Sequence, residues 1–133
     1  MIGLTAAVQL IAAAHERASR AGARVSVAVV DSGGHLVAFG RMDGAEIAGP
    51  TLAVDKAFTA VSQSTSTADL AVLAAPGGPL FGLHANGGGR YVIFPGGVPL
   101  HRDEKIVGGV GVSGGTVEQD EACAQAAAEL WGD

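Results

Sequence analysis

Four histidines, one lysine in a helical stretch and one arginine at a strand end are the side chains of this sequence most suited to chemistry. His15 lies on the apolar stripe of the first helical segment, not on its charged face, where an imidazole serves as a buried structural group or as an axial ligand to an iron macrocycle. His35 opens a strand directly after Asp31-Ser32-Gly33-Gly34. His84 stands in a glycine-rich loop, the commonest setting for a mobile general acid or base. His101 lies in the strand that follows Gly96-Gly97-Val98-Pro99-Leu100. None has HxH or HxxxH spacing, so no local zinc signature exists.

Lys56 is one of only two lysines. It falls at helical spacing from Leu52, Ala53 and Ala60, which predicts partial burial. A partly buried lysine can act as a base or hold a carboxylate. Arg41 offers the planar fork that a carboxylate needs. Lys56, His84 and His101 are therefore the catalytic candidates, and Asp31, Arg41, Lys56, Gly109 and Gly111 the ligand-binding ones. Asp31 with its glycines is equally the chemistry of a hairpin turn. The glycines of Gly108–Gly115 strip side chains from one strand face, so a helix, a second subunit or a flat ligand comes close there.

Elements must position these groups. Apolar residues at i, i+3, i+4 and i+7 predict a helix over 4–21, stopped by Gly22. Val25-Ser26-Val27-Ala28-Val29-Val30 and a strand over 35–42 form a hairpin. Gly49-Pro50 starts a helix over 50–63, and 69–74 forms one short helical turn after a Ser/Thr-rich break. The 76–90 segment, with six glycines and two prolines, is loop and of a length that suits a lid over a pocket beside the hairpin and Gly108–Gly115. Three strands follow, over 91–94, 98–102 and 105–112. Thr116-Val117-Glu118-Gln119 is a capping box that opens a last helix to Leu130. The order predicts an α+β fold with an antiparallel sheet flanked by helices, as one domain over 1–133.

The composition narrows the function classes. Glycine and alanine dominate the 133 residues, aromatics make up 5% and charged residues 16%, so the chain is not disordered. A net charge of −5 without a basic cluster argues against nucleic acid. No apolar run approaches a membrane span, and the first helix keeps a charged face unlike a signal peptide. The single Cys123 excludes an internal disulfide framework and reads as a small buried hydrophobe. A soluble cytoplasmic protein is the expectation.

The segments Val27–Ala45, Asp55–Ala60, Gly96–Leu100, Val107–Gly115 and Gln119–Glu121 together resemble the GlcG/HbpS-like family, also called DUF336, which includes the C-terminal domain of PduO-type proteins. The resemblance runs from about Leu4 to Leu130. It implies a profilin-like sandwich with a five-stranded antiparallel sheet, self-association from dimer up to octamer, and haem binding or haem processing with haem as cofactor; His15, on the apolar stripe of the first helix, is the candidate for its ligand. Two other readings stay open beside it. One is a cofactor-free lyase, isomerase or hydrolase that takes a small organic acid or ring compound at Arg41 and Lys56. The other is a non-catalytic structural or regulatory oligomer.

Overall fold

The computed structural model describes residues 1–132. Its elements are α1 (Leu4–Arg20), β1 (Ser26–Asp31), β2 (Leu36–Arg41), α2 (Gly49–Ser62), α3 (Thr67–Leu73), β3 (Gly97–Arg102), β4 (Lys105–Ser113) and α4 (Val117–Trp131). The four strands form one antiparallel sheet in the order β2-β1-β4-β3. The last strand made is thus central, and β2 and β3 are the edges.

Alternation along the strands decides which helix covers which face. Val27 and Val29 of β1 and Val110 and Val112 of β4 belong to the main core. They pack with Leu10, Ile11 and Ala14 of α1 and Cys123, Ala124 and Ala127 of α4. Alanine at the helix contacts lets α1 and α4 lie side by side on the sheet. The opposite face is thinner: Val30 packs there with Ala57 and Val61 of α2. Gly109 and Gly111 point the same way, and the missing side chains are the space α2 occupies. A Cβ on Gly111 would stand 1.9 Å from the Ala53 carbonyl oxygen, and one on Gly109 2.7 Å from Val61 Cγ2.

The expected fifth strand over 91–94 is absent, a correction to the sheet predicted from sequence. This segment bonds to a helix instead of a strand. The Val92 amide donates to Thr59 Oγ1 of α2 (3.0 Å), and the Tyr91 ring stacks on Phe58 at 6.2 Å. The short turn expected at 69–74 is the full helix α3, which Ser66 caps by accepting the Asp69 amide (3.1 Å). The capping box holds as read, with Thr116 and Gln119 exchanging bonds at 3.0 and 3.1 Å. No helix among the described residues is long and apolar enough to cross a membrane.

Candidate functional site

The close approach of α2 to β4 carries Lys56, one turn beyond Ala53, over the end of β4. Its side chain is completely buried. Nζ donates to the Val112 carbonyl (2.8 Å) and to the Asp120 carboxylate (3.1 Å), and it lies 5.1 Å from the centre of the Phe94 ring. The other Asp120 oxygen accepts the Gly115 amide (2.9 Å). The glycine turn after Ser113 therefore binds an anion, and that anion is the chain's own Asp120. Burial pushes Lys56 below its ordinary pKa and Asp120 above its own, each opposed by the charge of the other. This pair ties α2 to α4 across the sheet end. The two side chains are 0% and 4% exposed, so in this structure the Lys56 ammonium is held by Val112 and Asp120 as a link between α2 and α4.

Arg41 shares that end of the sheet. It pairs through Ser26 with Ser113, two strand spacings or roughly 10 Å across. Its guanidinium is exposed and donates to the Ala45 carbonyl, closing the turn that follows β2. Asp31, which pairs with Gly108, lies at the opposite end. His101 lies there too, four residues or roughly 13 Å along β3 from Gly97. Its carbonyl accepts Trp131 Nε1 at 2.7 Å. His84 is exposed, with its ring edge-on to Phe81 at 6.3 Å. The three catalytic candidates thus occupy a buried lock, an open loop and a strand end, and do not converge. Gly109 and Gly111 lie under α2, so the pocket expected beside Gly108–Gly115 is filled by the helix.

The 76–90 segment is anchored on α2 at its last residue. Arg90 bonds to Asp55 (Nε to Oδ1, 3.0 Å), and its guanidinium lies 3.7 Å from the centre of the Phe58 ring. Phe58 in turn fills the space beside Gly34, where a Cβ would meet the ring at 2.8 Å. The loop therefore ends against α2 and the hairpin turn, and does not cover the glycine face of β4.

Asp31 shapes that turn. Its Oδ1 accepts the amides of Gly33 (2.9 Å) and His35 (3.0 Å), with His35 Nδ1 at 3.2 Å. The His35 amide bond, foremost, holds the carboxyl below its ordinary pKa. A carboxyl with a depressed folded pKa stabilises above the unfolded value of about 3.9, and the effect is lost as pH falls through the folded value. Asp31→Ala is expected to lower stability by about 1 kcal/mol at neutral pH. Urea midpoints of the two proteins should converge as pH is lowered past about 3.9. A gap that stays constant down to acid pH would show that the charge contributes nothing.

His15 is half-buried on α1. Its Nε2 lies 3.1 Å from the Gly40 carbonyl of β2. A carbonyl only accepts, so Nε2 carries the proton and the lone pair rests on Nδ1. Gly40 makes this possible, since a Cβ there would meet His15 Cε1 at 2.9 Å and Ile11 Cγ2 at 3.2 Å. Val8 and Ala12, seven and three residues before His15, are both exposed and continue an apolar strip along α1. Among the described residues no group of three His, Cys, Asp or Glu side chains is placed to hold a metal ion.

Sequence reasoning missed Asp120, Phe94 and Thr59. Asp120 stands in the first turn of α4, where an acid reads as a helix-end residue. Only the spacing of Lys56 from its apolar neighbours hinted that a buried partner was needed.

The fold and these contacts define an antiparallel α+β sandwich with the half-buried His15 bonded to an edge strand. The haem-degrading HbpS-like family model matches residues 2–129, and the chain belongs to that family. It is similar to the corrinoid adenosyltransferase PduO of Salmonella typhimurium, with 43% identity over 119 residues. That match covers 90% of this chain and 35% of the relative, so the chain spans about a third of that protein's length. The crystal structure of the Klebsiella pneumoniae protein ORFY superimposes with a TM-score of 0.95 at 38% identity, covering 98% of this chain and 90% of that one. The crystal structure of a PduOC:heme complex superimposes with a TM-score of 0.92 at 40% identity, covering 96% and 93%.

Proposed function

We propose that this protein binds haem and that His15 is the side chain that holds the iron. The observation that carries the reading is the His15–Gly40 bond. A ligating histidine gives its second ring N–H to a carbonyl or carboxylate, which fixes the tautomer and raises the basicity of the free nitrogen. His15 has this arrangement through Nε2, with Nδ1 left for iron. The apolar strip of Val8 and Ala12 beside it suits the face of a porphyrin. Haem, when bound, supplies a redox-active iron centre, while the chain binds and orients it. Membership of the HbpS-like family and a 40% identical relative named as a haem complex support the same reading. The reading extends to a profilin-like sandwich that works as a small homo-oligomer.

Titration of the purified protein with haem tests this directly. A Soret band characteristic of histidine ligation is expected, and His15→Ala should weaken haem affinity by at least about tenfold while the far-UV circular dichroism stays unchanged. An identical spectrum and affinity for folded His15→Ala would overturn the assignment. Absence of any Soret shift in the wild type would overturn haem binding itself.

A further inference from the structure

Asn86 is the only asparagine of the chain, and glycine follows it. The Asn86 side chain carries an electrophile, the amide carbon Cγ, close along the chain to the backbone nitrogen of Gly87. Attack of that nitrogen on Cγ closes an imide ring. A folded chain prevents this step by tying the attacking N–H in a hydrogen bond, by crowding it with the next side chain, or by fixing the asparagine.

None of these obstacles exists at Asn86. Gly87 brings no side chain, and its N–H makes no backbone hydrogen bond. The one bond of Asn86 Nδ2 goes to the Gly82 carbonyl at 3.5 Å, longer than a good hydrogen bond. Asn86, Gly87, Gly88 and Gly89 are all exposed.

The turn itself favours the step. The Asn86 carbonyl accepts the Gly89 amide at 3.0 Å. That bond draws electron density from the Asn86–Gly87 peptide group and makes the Gly87 proton easier to lose. Asn86 is extended, with ψ 171°, so ring closure requires a rotation about its Cα–C bond. The glycines beyond it supply the freedom, since a Cβ on Gly88 or Gly89 would meet nothing within 4 Å. The chain is next fastened at Arg90, by Asp55 and the Phe58 ring. Glycine is also required at 87, where φ is +61° and a Cβ would meet Tyr91 Cε2 at 2.8 Å. The approach of Tyr91 thus keeps the susceptible pair together.

We propose that Asn86 is a site of spontaneous modification, at which the chain converts its own side-chain amide to a carboxylate through an imide with Gly87. The Gly87 nitrogen gives its proton to a base in solvent and bonds to Cγ. The Cγ–Nδ2 bond breaks, and Nδ2 leaves as ammonia with the proton that the base received. Water then adds to either imide carbonyl, the bond from that carbonyl to the Gly87 nitrogen breaks, and the nitrogen regains a proton. Opening at Cγ gives aspartate, and opening at the backbone carbonyl gives isoaspartate, in which the main chain runs through Cγ. One water is consumed and one ammonia released, with nothing oxidised or reduced. The net charge of −5 becomes more negative by one carboxylate, placed in the segment that Arg90 anchors on α2. This inference stands apart from haem binding, and its test contains no haem.

The purified chain is held at mildly alkaline pH and body temperature beside a peptide of residues 84–90, the unfolded reference. A species more acidic by a single charge should accumulate on ion exchange, with an equal amount of ammonia. Peptide fragmentation should find both aspartate and isoaspartate at position 86, and the folded chain should keep pace with the peptide. Asn86→Gln should lose the acidic species over the same interval, with unchanged circular dichroism. A folded chain that stays unmodified while the peptide converts overturns the proposal. So does an acidic species that still forms in Asn86→Gln. Aspartate without isoaspartate would mean direct hydrolysis of the amide and overturns the imide route.

Discussion

Lys56→Ala should lower stability by about 3–5 kcal/mol, because it leaves the Asp120 carboxylate buried with no counter-charge. For a chain of this size that is a fall in melting temperature of roughly 10 °C or more. Lys56→Met alone should cost nearly as much, since the stem is replaced but the charge is not. Adding Asp120→Asn removes the stranded charge while keeping an oxygen for the Gly115 amide, and should restore part of the loss. The cycle separates a charge effect from a packing effect. Were Lys56→Ala to melt within a few degrees of the wild type, the pair would be hydrated and replaceable, contrary to its burial here.

Gly111→Ala is the second large effect. Its new methyl would overlap the Ala53 carbonyl oxygen at 1.9 Å, and a backbone atom in mid-helix has no rotamer through which to yield. Helix α2 must shift off the sheet, which also drags Lys56 from Asp120. A loss of at least about 3 kcal/mol is expected, at the upper end of overpacking. Gly3→Ala, where nothing lies within 4 Å, serves as the comparison and should change little. Equal thermal midpoints for Gly111→Ala and wild type would mean that the α2–β4 contact is looser than described.

The hairpin, the long helices and the capping box were legible because each is written in local chemistry. Asp31 and its glycines specify the turn, Gly49-Pro50 starts α2, and Thr116 with Gln119 starts α4. Sequence also marked the Gly108–Gly115 strand as a place of close approach, with helix packing among the choices. What it did not reveal depends on partners distant in sequence. Tyr91–Phe94 has strand-like composition, yet Thr59 takes the Val92 amide and Phe58 takes the Tyr91 ring. Lys56 read as a ligand group because its partner, Asp120, lies 64 residues away. For His15 the helix stripe placed the side chain correctly, but Gly40, the residue that gives the imidazole its carbonyl, carried no visible signal beyond being glycine.

The central position of β4 has a consequence for how the chain is made. A ribosome delivers β1, β2 and α2 well before residue 105, so the emerging hairpin has α1 and α2 on its faces but lacks the β4 partner of β1 and the α4 part of the main core. Over the same interval Lys56 has neither the Val112 carbonyl nor Asp120. The nascent polypeptide is therefore committed to an incomplete, adhesive half-sheet until residues 105–131 appear, and β4 with α4 then closes strands, core and ion pair together. Folding of these elements during synthesis is in this sense deferred until β4 and α4 have been made, and chaperone demand should peak while the stretch between α2 and β4 is leaving the exit tunnel.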